Sequence, residues 1–191
     1  MGDWKIGLSA WIIQDGNYGD FRCHEQAEFA LEFFSENYRP SSSSEKQARW
    51  IRASRYAVNA EVIFTAERCF VIDFGILAYR EAEPPKSFRK GSWLQAEIYL
   101  GIDPFFYFEA LAHVKGMPPL IYTWHVNKIS METAPFIETV DARGIRVLVR
   151  DETKSAFREV QQTDAWEDDN GHGEYVLDCS LKDVPPKRDR Q

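Results

Sequence analysis

Residues 56–64 read YAVNAEVIF and residues 70–76 read FVIDFGI, and these two stretches decide the fold. In both, apolar side chains recur at every second position, so one face of a β-strand is buried and the other is wetter. A third stretch, Leu94–Leu100, repeats the pattern after the basic, proline-bearing loop Pro84–Lys90. The sequence therefore predicts a mainly β protein built on antiparallel strands.

Alternation of the same kind and turn residues predict strands elsewhere in the chain. In chain order these strands are Trp4–Ile12, Ala27–Phe33, Leu120–Ile129, Phe136–Val140, Ile145–Val149 and Tyr175–Leu177. Asn170-Gly171 is a pair typical of hairpin turns, which predicts a hairpin before the last strand. Glu45–Ala53 fits either a short helix or an early extension of the strand that follows.

One helix is predicted over residues 104–115. Asp103 suits the N-cap, Pro104 suits the first turn, and Gly116 suits the stop. The alternative is that Phe105–Phe108 continues the preceding strand through a kink.

Together these elements predict a single-domain antiparallel barrel or sandwich with one short helix. We expect this β-rich domain to span residues 1–184, with a mobile serine-rich loop at 40–46 and a disordered tail at 185–191. The order of strands and loop over residues 70–100 resembles part of the small Greek-key barrels of the OB type. That resemblance concerns architecture and implies no function.

Charge is distributed unevenly along the 191 residues, whose formal net charge is −7. Residues 1–38 carry 2 basic and 7 acidic groups, and residues 151–191 carry 6 and 11, whereas residues 39–90 carry 10 and 6. An acidic protein repels phosphate backbones, so general nucleic-acid binding is disfavoured. The basic stretch in residues 39–90 is the local exception.

The sequence has no motif for a cofactor, a metal ion or a membrane. No apolar run approaches the roughly 20 residues that cross a bilayer, and the start lacks the basic and apolar parts of a secretory signal. The three cysteines, Cys23, Cys69 and Cys179, share no metal-ligand spacing. We therefore expect a cytoplasmic protein with reduced thiols, and the sequence predicts no catalytic residue, metal ligand or cofactor.

A binding surface is predicted from basic residues interleaved with aromatic ones, the combination that contacts phosphates and stacks on bases. Its members are Arg49, Trp50, Arg52, Arg55, Arg89, Lys90 and Trp93. The alternative is that these arginines pair with the acidic excess elsewhere in the molecule.

A second candidate site centres on His125. It would serve in acid–base chemistry if its face of the strand bordered a cavity, with Tyr122 and Asp103 nearby. A solvent-facing strand histidine is the ordinary alternative.

Three functions follow from these observations. The first is a non-catalytic binding protein that acts on a protein partner through its surface, for example an acidic inhibitor or immunity-type protein that masks a basic surface. The second is an OB-like module that binds single-stranded nucleic acid. The third is a small-molecule enzyme or carrier with its site near His125.

Overall fold

A computed structural model describes residues 3–189, and β-strands dominate it. Strand accounts for 49% and helix for 10%, which confirms the predicted mainly β class. The strands are β1 Trp4–Ser9, β2 Gln26–Phe29, β3 Leu31–Phe34, β4 Tyr38–Pro40, β5 Gln47–Arg52, β6 Arg55–Ala66, β7 Cys69–Asp73, β8 Leu77–Arg80, β9 Trp93–Ile102, β10 Tyr122–Glu132, β11 Phe136–Val140, β12 Arg146–Arg150, β13 Phe157–Val160 and β14 Glu174–Leu181.

Helical structure is confined to short segments. The α-helices are α1 Ala10–Gln14 and α2 Phe106–Glu109, and single 3₁₀ turns cover Leu111–His113, Glu152–Lys154 and Asp168–Gly171. Within residues 3–189, no helix has both the length and the apolar character needed to cross a bilayer.

Five strands form a closed barrel, in the order β3-β8-β7-β6-β9 and back to β3. The two longest of these, β6 and β9, pair antiparallel from Arg55↔Tyr99 to Glu61↔Trp93. The barrel closes where β3 meets β9 antiparallel and β8 in parallel, the latter at Glu32↔Tyr79. The predicted barrel is therefore confirmed.

The remaining strands extend the sheet away from the barrel. In order outward they are β1, β14, β10 and β13, with β2 pairing on β10. Two further strands pair on barrel strands, β4 on β9 and β5 on β6. The extension joins the barrel at one parallel pair, Gly7↔Gly101. A separate hairpin, β11–β12, turns at Asp141–Gly144 as predicted.

The core fills the barrel with the side chains that the alternation marked as inward. Val58, Ala60, Val62, Leu94 and Leu100 are all buried. A second, smaller apolar cluster lies under α2.

Asp103 is a buried acid in this second cluster. Its Oδ1 accepts a hydrogen bond from Tyr79 Oη at 2.5 Å and another from the backbone N–H of Tyr107 at 3.1 Å. The second bond satisfies an N–H in the first turn of α2.

The N-cap of α2 itself is Phe105, so the predicted start of the helix, with Asp103 at the N-cap and Pro104 in the first turn, is two residues too early. The helix itself is broken within the predicted range 104–115, because Ala110 (φ −129°, ψ −53°) interrupts it before the 3₁₀ turn.

The first predicted strand is wrong beyond Ser9. The backbone N–H of Ala10 donates to the carbonyl of Gly173, and the chain then turns into α1, which buries Ile12 and Ile13. Apolar residues at positions 10, 12 and 13 satisfy a helical turn as well as a strand, so tertiary packing decides between them.

The predicted hairpin at Asn170-Gly171 is also wrong. Asp169, Asn170 and Gly171 do adopt positive φ, as the pair favours, but they form a tight turn with left-handed backbone that does not join paired strands. The strands on either side, β13 and β14, each pair with β10 and not with each other. The Gly171 carbonyl instead accepts a hydrogen bond from Gln14 Nε2 at 2.9 Å.

Two segments expected to be irregular make defined contacts. In the serine-rich loop, the carbonyls of Ser43 and Glu45 accept hydrogen bonds from Asn59 Nδ2. After it the chain forms β5, so the strand alternative for residues 45–53 is the correct one.

The segment expected to be a disordered tail, residues 185–191, is described up to Asp189. Lys187 exchanges two backbone hydrogen bonds with Ile121, and its Nζ lies 2.8 Å from a Glu28 carboxylate oxygen. Arg188 donates to the carbonyls of Ala112 and Met117. The last two residues of the tail lie outside the described range.

Candidate functional site

A cleft of about 620 Å³ opens on the outer face of the barrel, where β1, α1, β3 and β9 meet. It lies here because the outward side chains of β3 and β9 share a register. Phe34 lies opposite Tyr99, and Glu32 lies opposite Gly101. We call this the aromatic cleft, after Trp11, Phe34 and Tyr99 in its lining.

Two paired glycines form the floor of the aromatic cleft. Gly7 and Gly101 have no side chain, and the Tyr99 ring occupies the space above them. A Cβ atom added to Gly7 would lie 1.9 Å from Tyr99 Oη, so only glycine permits this position of the ring. The hydroxyl end of Tyr99 packs over Gly7 and is buried, although part of the ring is exposed. The hydroxyl is hydrogen-bonded to Ser54, and its burial raises its pKa to about 12.

The three aromatic side chains are exposed although they are large and apolar. Trp11 is 50% exposed, Phe34 is 49% exposed and Tyr99 is 37% exposed. The Arg80 guanidinium lies 4.0 Å from the centroid of the Phe34 ring, which is a cation–π contact. Large apolar residues on a protein surface are usually exposed singly. Several exposed rings that line one concave site are instead typical of a ligand-binding site.

Glu32 is the most perturbed carboxylate in the lining. Its pKa is raised to about 7, mainly by burial and in smaller part by the nearby carboxylates of Asp103 and Glu81. Arg80, whose Nη1 lies 3.2 Å from Glu32 Oε1, opposes that shift. A carboxyl group that titrates near neutral pH inside a cleft responds readily to any ligand charge placed beside it.

Two more carboxylates line the aromatic cleft. Glu36 is exposed and makes no ion pair within residues 3–189, and Glu97 lies 3.7 Å from the Arg55 guanidinium in a long, solvent-exposed contact. Exposed pairs of this kind contribute little, roughly 0–1 kcal/mol. The cleft therefore combines aromatic faces with weakly compensated negative charge, a combination that favours a cationic ligand.

Two further grooves continue from the aromatic cleft. One, of about 590 Å³, shares Asn37 and Glu97 with it and also contains Arg39 and Arg49. We call it the arginine groove. The other, of about 260 Å³, shares Tyr99 with the aromatic cleft.

Three of the predicted basic residues lie on this continuous surface. Arg49 lines the arginine groove, Arg55 lines the aromatic cleft, and Arg52 joins Arg55 in the smaller groove. Arg39, across β9 from them, was not predicted, and neither Arg39 nor Arg49 makes an ion pair in the described part of the chain.

The other predicted basic and aromatic residues are dispersed. Trp93 shares the outer face of β9 with Tyr99 but lies six positions away, roughly 20 Å along the strand. Arg89 and Lys90 are exposed in the loop that precedes β9. Trp50 makes a cation–π contact with Lys5, which is not one of the predicted basic residues and whose Nζ is 5.4 Å from the ring centroid.

The residues proposed around His125 do not share a face. Tyr122 is buried, and its hydroxyl accepts a hydrogen bond from the backbone N–H of Leu77. His125 lies on the opposite face of β10, half-buried, with its ring centroid 6.5 Å from that of His24. It lines neither the aromatic cleft nor the arginine groove.

Sequence reasoning missed the residues that make the cleft distinctive, namely Trp11, Phe34, Glu36 and Tyr99. One signal was available, because glycine inside a strand marks a close approach and Gly101 follows Tyr99 on the same face. Nothing local indicates that the first three would be exposed beside it.

In residues 3–189, no group of three or more histidine, cysteine, aspartate or glutamate side chains is placed to hold a metal ion. The fold and the cleft therefore define a β-barrel protein with an open, aromatic and acidic cleft. Comparisons with protein-family models, with curated proteins and with solved structures found no match.

Proposed function

We propose that this protein acts by binding, and that its aromatic cleft holds a basic side chain from an extended segment of a partner protein. The observation that carries the proposal is the gathering of three exposed rings with Glu36 and Glu97 in one open cleft. A guanidinium or ammonium group over an aromatic face gains roughly 0.5–2 kcal/mol. A net charge of −7 would steer such a partner toward the protein.

A polypeptide fits this surface better than a polyphosphate. Both arginines and carboxylates line it, with Arg49 in one groove, Glu97 shared by that groove and the cleft, and Glu36 in the cleft. Each carboxylate would repel a phosphate backbone, whereas a peptide can present either charge where it is needed. One form of this function is an acidic inhibitor or immunity-type protein that masks a basic surface in the cytoplasm; free, largely buried cysteines are compatible with that compartment.

Fluorescence anisotropy with a labelled Gly-Arg repeat peptide tests the proposal. A peptide of about twelve residues spans roughly 40 Å when extended, so it can contact the cleft and a neighbouring groove together. We expect Trp11→Ala to weaken binding by about 2- to 30-fold, the range that one cation–π contact supplies. Glu36→Gln should weaken it by up to about 5-fold, because an exposed ion pair contributes roughly 0–1 kcal/mol.

Matched controls separate the cleft from general charge attraction. Trp166→Ala removes another exposed tryptophan, and Glu67→Gln removes another exposed carboxylate, both outside the cleft lining. If Glu67→Gln lost as much affinity as Glu36→Gln, the protein's overall charge would explain the binding without the cleft. If the peptide did not bind at about 50 mM salt, the proposal would be rejected.

Single-stranded nucleic acid is the second candidate ligand, favoured by Arg39 and Arg49 in the arginine groove. This candidate needs an OB-like binding mode on the barrel. Titration with a labelled oligothymidylate at low salt tests it. Binding that weakens with salt and is lost in Arg39→Gln/Arg49→Gln would support it, and no binding at low salt would exclude it.

A further inference from the structure

The hairpin β11–β12 concentrates exposed apolar side chains. Of the thirteen large apolar residues exposed in the described part of the chain, six belong to it. They are Phe136, Ile137, Val140, Ile145, Leu148 and Val149. Two strands form a sheet of their own here, so no further strand in residues 3–189 pairs with either edge. Such a concentration of apolar surface typically marks an interaction site.

The two faces of the hairpin differ in chemistry. On one face Ile137 pairs with Val149, and Thr139 pairs with Val147, so this face carries no charged side chain. We call these four residues the apolar face. Two of the exposed apolar residues, Ile137 and Val149, lie on the apolar face. The opposite face carries three others, Phe136, Val140 and Leu148, together with the hairpin's cross-strand ion pair, between Arg146 and Glu138 at 3.2 Å.

The charged face also attaches the hairpin to the body of the protein. The Arg150 guanidinium lies 4.0 Å from the Phe136 ring centroid, donates to the carbonyl of Ala134 and pairs with Asp169. These contacts fix the base of the hairpin.

The apolar face is continuous with the aromatic cleft. Val149 lines the smaller groove together with Arg55 and Tyr99, and both of those residues also line the aromatic cleft. An extended chain seated in the cleft would therefore reach the hairpin by way of this groove.

A second copy of this chain is a poor occupant of the apolar face. If β11 paired antiparallel with β11 of a second copy, centred on Glu138, the two Glu138 carboxylates would lie opposite each other and repel. If β12 paired in the same way, centred on Leu148, Arg146 of each copy would lie opposite Arg150 of the other. The face is about 17 Å long and two strands wide, a few hundred Å² at most, whereas a stable interface buries about 800 Å² on each partner. Two copies would also each carry a net charge of −7.

We propose that the apolar face and the aromatic cleft bind one extended segment of a partner protein, in which apolar residues alternate with basic ones. The apolar side chains lie on Ile137, Thr139, Val147 and Val149, and a basic side chain enters the cleft. This proposal rests on the cleft function proposed above and adds the kind of partner segment that it recognises.

The experiment compares two labelled peptides of about twelve residues, one of Val-Arg repeats and one of Gly-Arg repeats, which carry equal charge. We expect the protein to bind the Val-Arg peptide at least about tenfold more tightly, since valine burial adds to the basic contact. Ile137→Ser/Val147→Ser should abolish that preference and leave Gly-Arg binding unchanged. Leu148→Ser, on the charged face and 69% exposed, is the matched control and should keep the preference.

Each outcome decides the matter. Equal affinity of the unmodified protein for both peptides would overturn the role of the hairpin while the cleft function stands. A preference that survives in Ile137→Ser/Val147→Ser would overturn it too. If neither peptide binds, both proposals fail. Sedimentation tests the remaining alternative. If the unmodified protein formed a concentration-dependent dimer and the double variant were a monomer, the apolar face would bind a second copy of this chain.

Discussion

Replacing Gly7 with alanine tests whether the floor of the aromatic cleft is built as described. The new Cβ would lie 1.9 Å from Tyr99 Oη and 2.4 Å from its Cζ, so the ring must move. Gly7 does not have a positive φ, so alanine fits the backbone, and the substitution gains about 0.5–1 kcal/mol from reduced chain flexibility. Overpacking costs about 1–3 kcal/mol.

The expected net loss in the free energy of unfolding is therefore up to about 2.5 kcal/mol, with about 1 kcal/mol at the midpoints of the two ranges. For a chain of this size that lowers the melting temperature by up to about 10 °C. Urea unfolding and thermal melting of Gly7→Ala measure it. Gly19→Ala is the control, because no atom lies within 4 Å of its added Cβ, and it should change stability by less than about 0.5 kcal/mol.

The cause is isolated by a double-mutant cycle with Tyr99→Ala. Once the ring is absent, Gly7→Ala has nothing to displace and should be neutral or slightly stabilising. The coupling free energy between the two positions should then equal the overpacking cost, about 1–3 kcal/mol. An equal loss in both backgrounds would refute the reasoning, because the strain would lie elsewhere than in contact with Tyr99.

Two further predictions concern a buried carboxylate and the end of the described chain. Burial raises the Glu32 pKa from 4.5 to about 7, so the folded state holds this proton more tightly than the unfolded state, and the free energy of unfolding falls as pH rises from 4.5 to 7. This pKa shift corresponds to a change of about 3 kcal/mol in the free energy of unfolding between these two pH values. Glu32→Gln cannot titrate at this position, so urea unfolding should show the unmodified protein losing stability relative to the variant over this pH range. Parallel pH profiles of the two proteins would contradict the prediction. Arg188→Ala should cost about 1–3 kcal/mol, because it removes donors to the carbonyls of Ala112 and Met117. Arg143→Ala, whose side chain is highly exposed, is its control in the same assay, and equal stability of the two variants would show that the Arg188 contacts contribute nothing.

The barrel could be predicted because its interior imposes a local pattern. A strand with one face inside a closed barrel must bury every second side chain, and β6, β7 and β9 carry that pattern in consecutive residues. The helix α1 could not be predicted, because five residues carry too few apolar positions to separate a period of 3.6 from a period of 2.

The aromatic cleft could not be predicted because its parts come from distant segments. Gly7 meets Gly101 through sheet register, and no local property of either residue encodes that meeting. Trp11 and Phe34 read as core residues in the sequence, since large apolar side chains are usually buried. Only the placement of α1 beside β3 and β9 leaves them exposed around one opening.

The pairing of β1 with β14 sets an order for events on the ribosome. Trp4 pairs with Cys179, so the first strand of the chain waits for the last one to be synthesised. The five barrel strands are complete once Ile102 has emerged, but Ile6 and Leu8 then still lack the neighbours that bury them. We expect nascent chains stalled before Glu174 to bind chaperones through these two residues, and photo-crosslinking from position 6 would detect that contact until translation passes residue 181.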